Sequence, residues 1–131
     1  MKIPFTVDLK DKTAVVTGGG GILCSTMAKA LAKCGASVAV ADLRKEAAEK
    51  VASEIRTEGG KAIGVACNVL EKASLEEANS IIEKEFGSVN ILINGAGGNH
   101  PKGTTSKEFF NPSDINKLSE GIITFYDLDP K

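Results

Sequence analysis

Four consecutive glycines, Gly18–Gly21, stand between the run "TAVVT" and a helical pattern that opens at Ile22. Ordering a glycine costs more backbone entropy than ordering any other residue. Four in a row therefore mark a place where main chain must be approached closely. At a strand-to-helix corner, free N–H groups and the positive helix end point outward. A pyrophosphate can rest on them if no Cβ intervenes. The chemistry expected is dinucleotide binding by Thr17, Gly18, Gly19, Gly20, Gly21 and Ile22. A flexible turn of glycines is the alternative, and it leaves the strand–turn–helix context without a reason. A kinase-type phosphate loop is excluded, because Ile22 and Leu23 stand where Lys and Ser/Thr would follow.

Further along, Asp42 ends a second apolar run, 24 positions beyond Gly18. A carboxylate there accepts from the two ribose hydroxyls of adenosine and repels a 2′-phosphate, which selects NAD over NADP. The alternative is an N-cap for the next helix, and one side chain can serve both. Arg44 is the one feature that could soften the NAD preference; a place on the solvated helix face is the plainer reading. Asn68, in "CNV", is placed to reach the adenine edge and Val69 to flank the ring; a plain strand-ending Asn is an equal alternative. Asn94, Gly95, Ala96 and Gly97, in "NGAGG", let backbone approach the ribose and nicotinamide side. Three strand ends thus converge on one crevice, where open parallel sheets bind ligands.

These residues need a scaffold, and the chain supplies one by alternation. Thr13–Thr17, Ser37–Ala41, Ala62–Cys67 and Val89–Asn94 read as strands. Helical faces run through Leu23, Met27, Ala30, Leu31 and Cys34, through Leu43, Ala47, Val51 and Ile55, and through Leu75, Ala78, Ile82 and Phe86. Gly35, Gly59-Gly60 and Gly87 stop them. The expectation is an α/β fold, a Rossmann-like parallel sheet with helices on both faces and strand order 3-2-1 with the fourth beside the first. The chain reads as the N-terminal, cofactor-binding part of one Rossmann domain over 1–131, truncated after the fourth strand. Its core is 9–98. The segment 99–131 is irregular, with one helical turn expected at Ser113–Ser119, Ile115 and Leu118 inward and Gly121 as its stop. A segment like this in a compact domain is usually functional or mobile.

The bulk properties exclude several classes. The chain has 131 residues, 42% hydrophobic and 25% charged, with a net charge of -1, which argues against nucleic acid or anionic membrane as the main partner, since both need a basic excess. Apolar runs are too short to span a bilayer, and the N-terminus carries no signal-peptide core. Cys24, Cys34 and Cys67 are widely spaced, so no metal site and no disulfide framework is expected, and a cytoplasmic location fits free thiols.

Taken together, the residues resemble the short-chain dehydrogenase/reductase family. "TGGGGILC" resembles its Thr-Gly-x-x-x-Gly-x-Gly loop, Asp42 its NAD-selecting acid, "CNV" its Asp-Val pair and "NGAG" its Asn-Asn-Ala-Gly turn. The match runs from about Leu9 to Gly98. "VVTGGGG" followed by "LINGAGGNHP" resembles the D-mannonate oxidoreductase, or fructuronate reductase, branch. Ile22 and Cys24 hold the family's second and third glycine positions, Asn68 its Asp, and Gly95 its second Asn. The resemblance implies hydride transfer between NAD(H) and a small molecule, a sugar acid such as mannonate or fructuronate. It also implies a Tyr/Lys pair four residues apart that moves the proton. The chain has one tyrosine, Tyr126, followed four residues on by Pro130, so no catalytic residue is assigned. His100 and Lys102 are candidate contacts for a sugar-acid carboxylate; a solvated loop imidazole is the plainer reading of His100. A non-catalytic NAD-binding module and an inactive fragment are the alternatives. The apolar fourth strand would lie at an open edge, so a second copy or the remainder of a longer chain is expected to cover it, and the chain alone should be a poor soluble monomer.

Overall fold

The computed structural model describes residues 7–98, 105–107, 109, 111–117 and 120–124. The chain divides into two units, Met1–Ala96 and Gly97–Lys131. In the first, four strands, β1 (Thr13–Thr17), β2 (Ser37–Asp42), β3 (Lys61–Ala66) and β4 (Ile91–Ile93), alternate with three helices, α1 (Ile22–Lys33), α2 (Lys45–Thr57) and α3 (Lys72–Phe86). All pairings are parallel and the order is β3-β2-β1-β4, as the alternation predicts.

The strands are apolar at nearly every position because both sheet faces are covered. Ala14, Val16, Val38, Val40 and Ala62 pack with Ala28 of α1 and with Ala48, Val51, Ala52 and Ile55 of α2. Val15, Ala39, Ala41 and Val65 point the other way, onto Ala78 and Ile82 of α3. Helix α3 lies over β2 and β3. Leu92 of β4, on that same side, stays 57% exposed, so the helix layer stops short of the β4 edge.

Several expected positions shift, and for one reason. Small residues let helix and sheet approach, so alanines rather than leucines face the strands. In α1 the inward side is Cys24, Ala28, Leu31 and Ala32, while Leu23, Met27 and Ala30 face outward. Leu43 precedes α2 and is exposed. Leu75 is likewise exposed, and Phe86 only half-buried. Strand β4 is three residues, not six: before it the Asn90 side chain accepts from Thr13 N at 2.9 Å and its amide donates to Thr13 O at 2.9 Å, and after it the Gly95 and Ala96 amides turn onto Thr17 Oγ1. Gly35, Gly59 and Gly87 follow or close the helices at positive φ, as expected of stops.

The β3 edge is tied to α2. Arg56 Nη1 donates to Ala62 O at 2.8 Å and pairs with Glu49, whose carboxylate accepts from Gly64 N at 3.2 Å. Between α1 and α2, Lys29 meets Glu54 and Lys33 meets Glu58.

In the second unit a 3-10 turn spans Pro112–Asp114, where the longer helical turn was expected, and Asn111 caps it by accepting from Ser113 N. Ile115 is exposed rather than inward, since the chain leaves the turn in extended conformation and Asn116 adopts φ 65°. Lys107 Nζ meets the buried Asp114 at 2.8 Å, and Ser106 exchanges hydrogen bonds with Ile123. Gly121 has φ 76°. Leu118 lies outside the described residues.

Candidate functional site

The corner after β1 is built for close packing. Gly18 has φ +65°, and a Cβ on it would meet Gly95 O at 2.7 Å. A Cβ on Gly19 would meet Val40 Cγ1 at 2.6 Å and Val16 O at 2.8 Å; one on Gly20 would meet Ala47 Cβ at 2.7 Å and Asp42 Oδ2 at 2.9 Å. The protein's own packing therefore requires these three glycines, whatever a ligand adds. The amides of Gly19, Gly20 and Gly21 are also spent. Gly19 N donates to Ala41 O, Gly20 N to Asp42 Oδ2 and Gly21 N to Gly18 O, each at 3.0 Å.

The Gly19, Gly20 and Gly21 amides, expected to face a phosphate, thus have partners within the chain. Helix α1 begins at Ile22, capped by Gly21 with no side-chain hydrogen bond, and the first turn closes with Ser25 N on Gly21 O. The amides of Ile22, Leu23 and Cys24 precede that bond and have no intrahelical acceptor. Such N–H groups at a helix start, with the positive end of the helix dipole, are of the kind that can receive an anion. The Ile22 side chain is 88% exposed and leaves the corner open.

Asp42 ends β2 with its carboxylate turned to this corner. Oδ2 accepts from Gly20 N and Oδ1 from Arg44 N, both at 3.0 Å. Arg44, not Asp42, is the N-cap of α2, and it is exposed. Each carboxylate oxygen keeps a further lone pair for a ribose hydroxyl. Asn68 is engaged locally instead: Nδ2 donates to Glu71 Oε1 at 2.8 Å and Oδ1 accepts from Leu70 N at 3.2 Å. An adenine contact would have to displace or share those bonds. Val69 is at the surface, and Cys67 is buried, which pushes its thiol pKa up.

After β4, Thr17 grips the turn. Its Oγ1 accepts from Gly95 N at 3.0 Å and from Ala96 N at 3.1 Å, and donates to Ile93 O at 3.4 Å. Cys24 Sγ contacts Gly95 O at 3.7 Å. The structure thus brings together Thr17, Gly18–Gly21, Ile22, Asp42, Gly95 and Ala96 at the C-terminal ends of β1, β2 and β4; Asn94, Gly95, Ala96 and Gly97 are all exposed. His100 and Lys102 lie outside the described residues, as does Tyr126. Reading the sequence missed the Thr17 clamp and the Cys24–Gly95 contact; the paired departures from the family pattern at 24 and 95 were the available signal. Among the described residues no three His, Cys, Asp or Glu cluster as a metal site would need, and no helix is long and apolar enough to cross a membrane.

The pattern described as short chain dehydrogenase matches residues 12–120. The chain belongs to the short-chain dehydrogenase family. It is 48% identical over 129 residues to an uncharacterized oxidoreductase of Haemophilus influenzae, covering 98% of this chain and 44% of that one. A crystal structure of a provisionally assigned D-mannonate oxidoreductase from Haemophilus influenzae, with NAD bound, superposes with a TM-score of 0.72 at 49% identity, over 95% of this chain and 43% of that one. A hydroxysteroid dehydrogenase from Escherichia coli superposes with a TM-score of 0.67 at 35% identity, over 70% of this chain and 38% of that one. The chain spans less than half the length of these short-chain dehydrogenase relatives.

Proposed function

We propose that this chain holds NAD(H) for an oxidoreductase of the short-chain dehydrogenase family whose substrate is a sugar acid such as mannonate or fructuronate. The observation that carries the reading is Asp42, a strand-end carboxylate fixed by two backbone amides beside a helix start with open N–H groups. The pyrophosphate would rest on the amides of Ile22, Leu23 and Cys24, held by the fold of Gly18–Gly21. The adenosine ribose would meet Asp42, and Asn68 and Val69 would border the adenine. The turn from Asn94 to Gly97, clamped by Thr17, would flank the nicotinamide side. NAD supplies hydride transfer when bound; these residues bind and orient it.

The sugar acid is supported by the likeness to the D-mannonate oxidoreductase with bound NAD. His100 and Lys102 are offered as contacts for its carboxylate. Proton transfer is not assigned to any of the 131 residues, since Tyr126 has no lysine four positions on. That feature favours a second reading, a nucleotide-holding module without chemistry of its own. The exposed Leu92 on edge strand β4 supports cover by a second copy or by further polypeptide. Three free cysteines suit the cytoplasm.

Titration calorimetry with NAD and NADP tests the reading. NAD binds more tightly, and Asp42→Ala shrinks the gap; a preference unchanged by the substitution defeats the assignment. With NAD and mannonate the purified chain produces no NADH absorbance; turnover would show that the proton-transfer group lies within it.

A further inference from the structure

Two departures from the family pattern, cysteine at 24 and glycine at 95, meet each other in space. A Cβ built on residue 95 collides with Cys24 Sγ and comes within 2.8 Å of Thr17 O. Cys24 Sγ thus fills the room that a side chain at 95 would take, and reaches Gly95 O at 3.7 Å. We propose that Cys24 and Gly95 are a size-matched pair that sets the distance between the start of α1 and the turn after β4. Cys24 is the positioning residue of that pair, and the proposal rests on the cofactor reading above.

The pair joins two parts of one crevice. The Cys24 amide belongs to the open first turn of α1, while its thiol bears on the Gly95 carbonyl. Gly95 is held from two other sides as well. Its amide and that of Ala96 donate to Thr17 Oγ1, and its carbonyl lies 2.7 Å from where a Cβ on Gly18 would stand. The turn cannot retreat from a larger residue at 95 without breaking the Thr17 bonds. The helix start cannot retreat without moving its amides away from a phosphate. A side chain at 95 therefore meets its tightest contact at Cys24, which a smaller residue at 24 would relieve, leaving the 2.8 Å approach to Thr17 O for the turn to absorb.

The test is a cycle of four proteins: parent, Cys24→Gly, Gly95→Ala and the double variant. NAD affinity is read by calorimetry and the melting temperature is read without NAD. Gly95→Ala should weaken NAD at least fivefold in the folded protein, and the double variant should recover part of that loss and melt higher than Gly95→Ala. If Gly95→Ala binds NAD like the parent, or melts lower with affinity unmoved, the positioning role is wrong. Losses that multiply in the double variant also overturn it. If Gly95→Ala does not fold, a folded, NAD-binding double variant supports the pair and an unfolded one refutes it. A parent that does not bind NAD defeats the cofactor reading and with it the positioning role, while the melting temperatures still decide whether the two sizes are matched.

Discussion

Gly20 N donates to Asp42 Oδ2 at 3.0 Å, so the carboxylate expected to hold a ribose also holds the loop expected to shape the phosphate site. The same contact leaves no room at Gly20, where a Cβ would stand 2.9 Å from Oδ2 and 2.7 Å from Ala47 Cβ. Gly20→Ala must push the carboxylate or α2 aside. Overpacking of this kind costs about 1–3 kcal/mol. We expect a lower urea midpoint and NAD binding weakened about tenfold, read by calorimetry on the folded variant. Unchanged affinity would show that the Asp42 position tolerates displacement.

Much of this was legible before the structure. Four apolar runs separated by amphipathic stretches are enough to give the parallel sheet and its order, because βαβ crossovers have one hand. Helix faces were misread because hydropathy favours Leu23 and Met27, whereas contact with a sheet favours Ala28, Ala48 and Ala52. The glycine run announced that side chains were unwelcome. It did not say by whom: Val40, Ala47 and Gly95 each need the space, and only tertiary contact reveals that. Asn68 looked free for adenine because its partner Glu71 is another polar surface residue, and nothing in the order of residues announces that bond.

Gly64 is a second place where the fold requires a bare backbone. A Cβ there would stand 2.6 Å from Glu49 Cα and 2.8 Å from Ala48 C, both main-chain atoms of α2 that no rotamer change can move. Gly64→Ala should therefore destabilise by about 1–3 kcal/mol. It should also loosen the Glu49 and Arg56 bonds that satisfy the β3 edge. Urea unfolding checks the first effect, and light scattering the second, since an uncovered edge recruits other strands. A midpoint equal to that of the parent would mean α2 can shift away at no cost.

Lys29 and Glu54 join α1 to α2 at 2.6 Å. The hydrogen bond from Lys29, with its charge, holds the Glu54 carboxyl below its ordinary value, and the bond to Glu54 raises Lys29. A depressed carboxylate stabilises above its unfolded pKa and loses that contribution as pH falls through the folded one. A raised lysine stabilises below its unfolded pKa and loses it as pH rises through the folded one. The parent should thus melt slightly above Glu54→Gln across the neutral range, with the difference closing in acid and in strong base. High salt should shrink it, because the pair is partly exposed. A difference that widens on acidification would contradict the pairing.

The three thiols should separate by reactivity. Alkylation needs the thiolate. Cys67 is 6% exposed, and its burial raises its pKa, so both access and ionisation oppose reaction. Cys24 and Cys34 are partly buried, with more access than Cys67. Iodoacetamide at mildly alkaline pH, followed by peptide mapping, should label Cys34 and Cys24 about tenfold or more faster than Cys67 in the native chain. In denaturant the three should react alike. Saturating NAD should slow Cys24, whose amide lies in the open turn of α1, and leave Cys34 at the far end of that helix unchanged. Native labelling of Cys67 as fast as that of Cys34 would show that the α3 side of the sheet opens readily, and equal protection of Cys24 and Cys34 would place the nucleotide away from the corner.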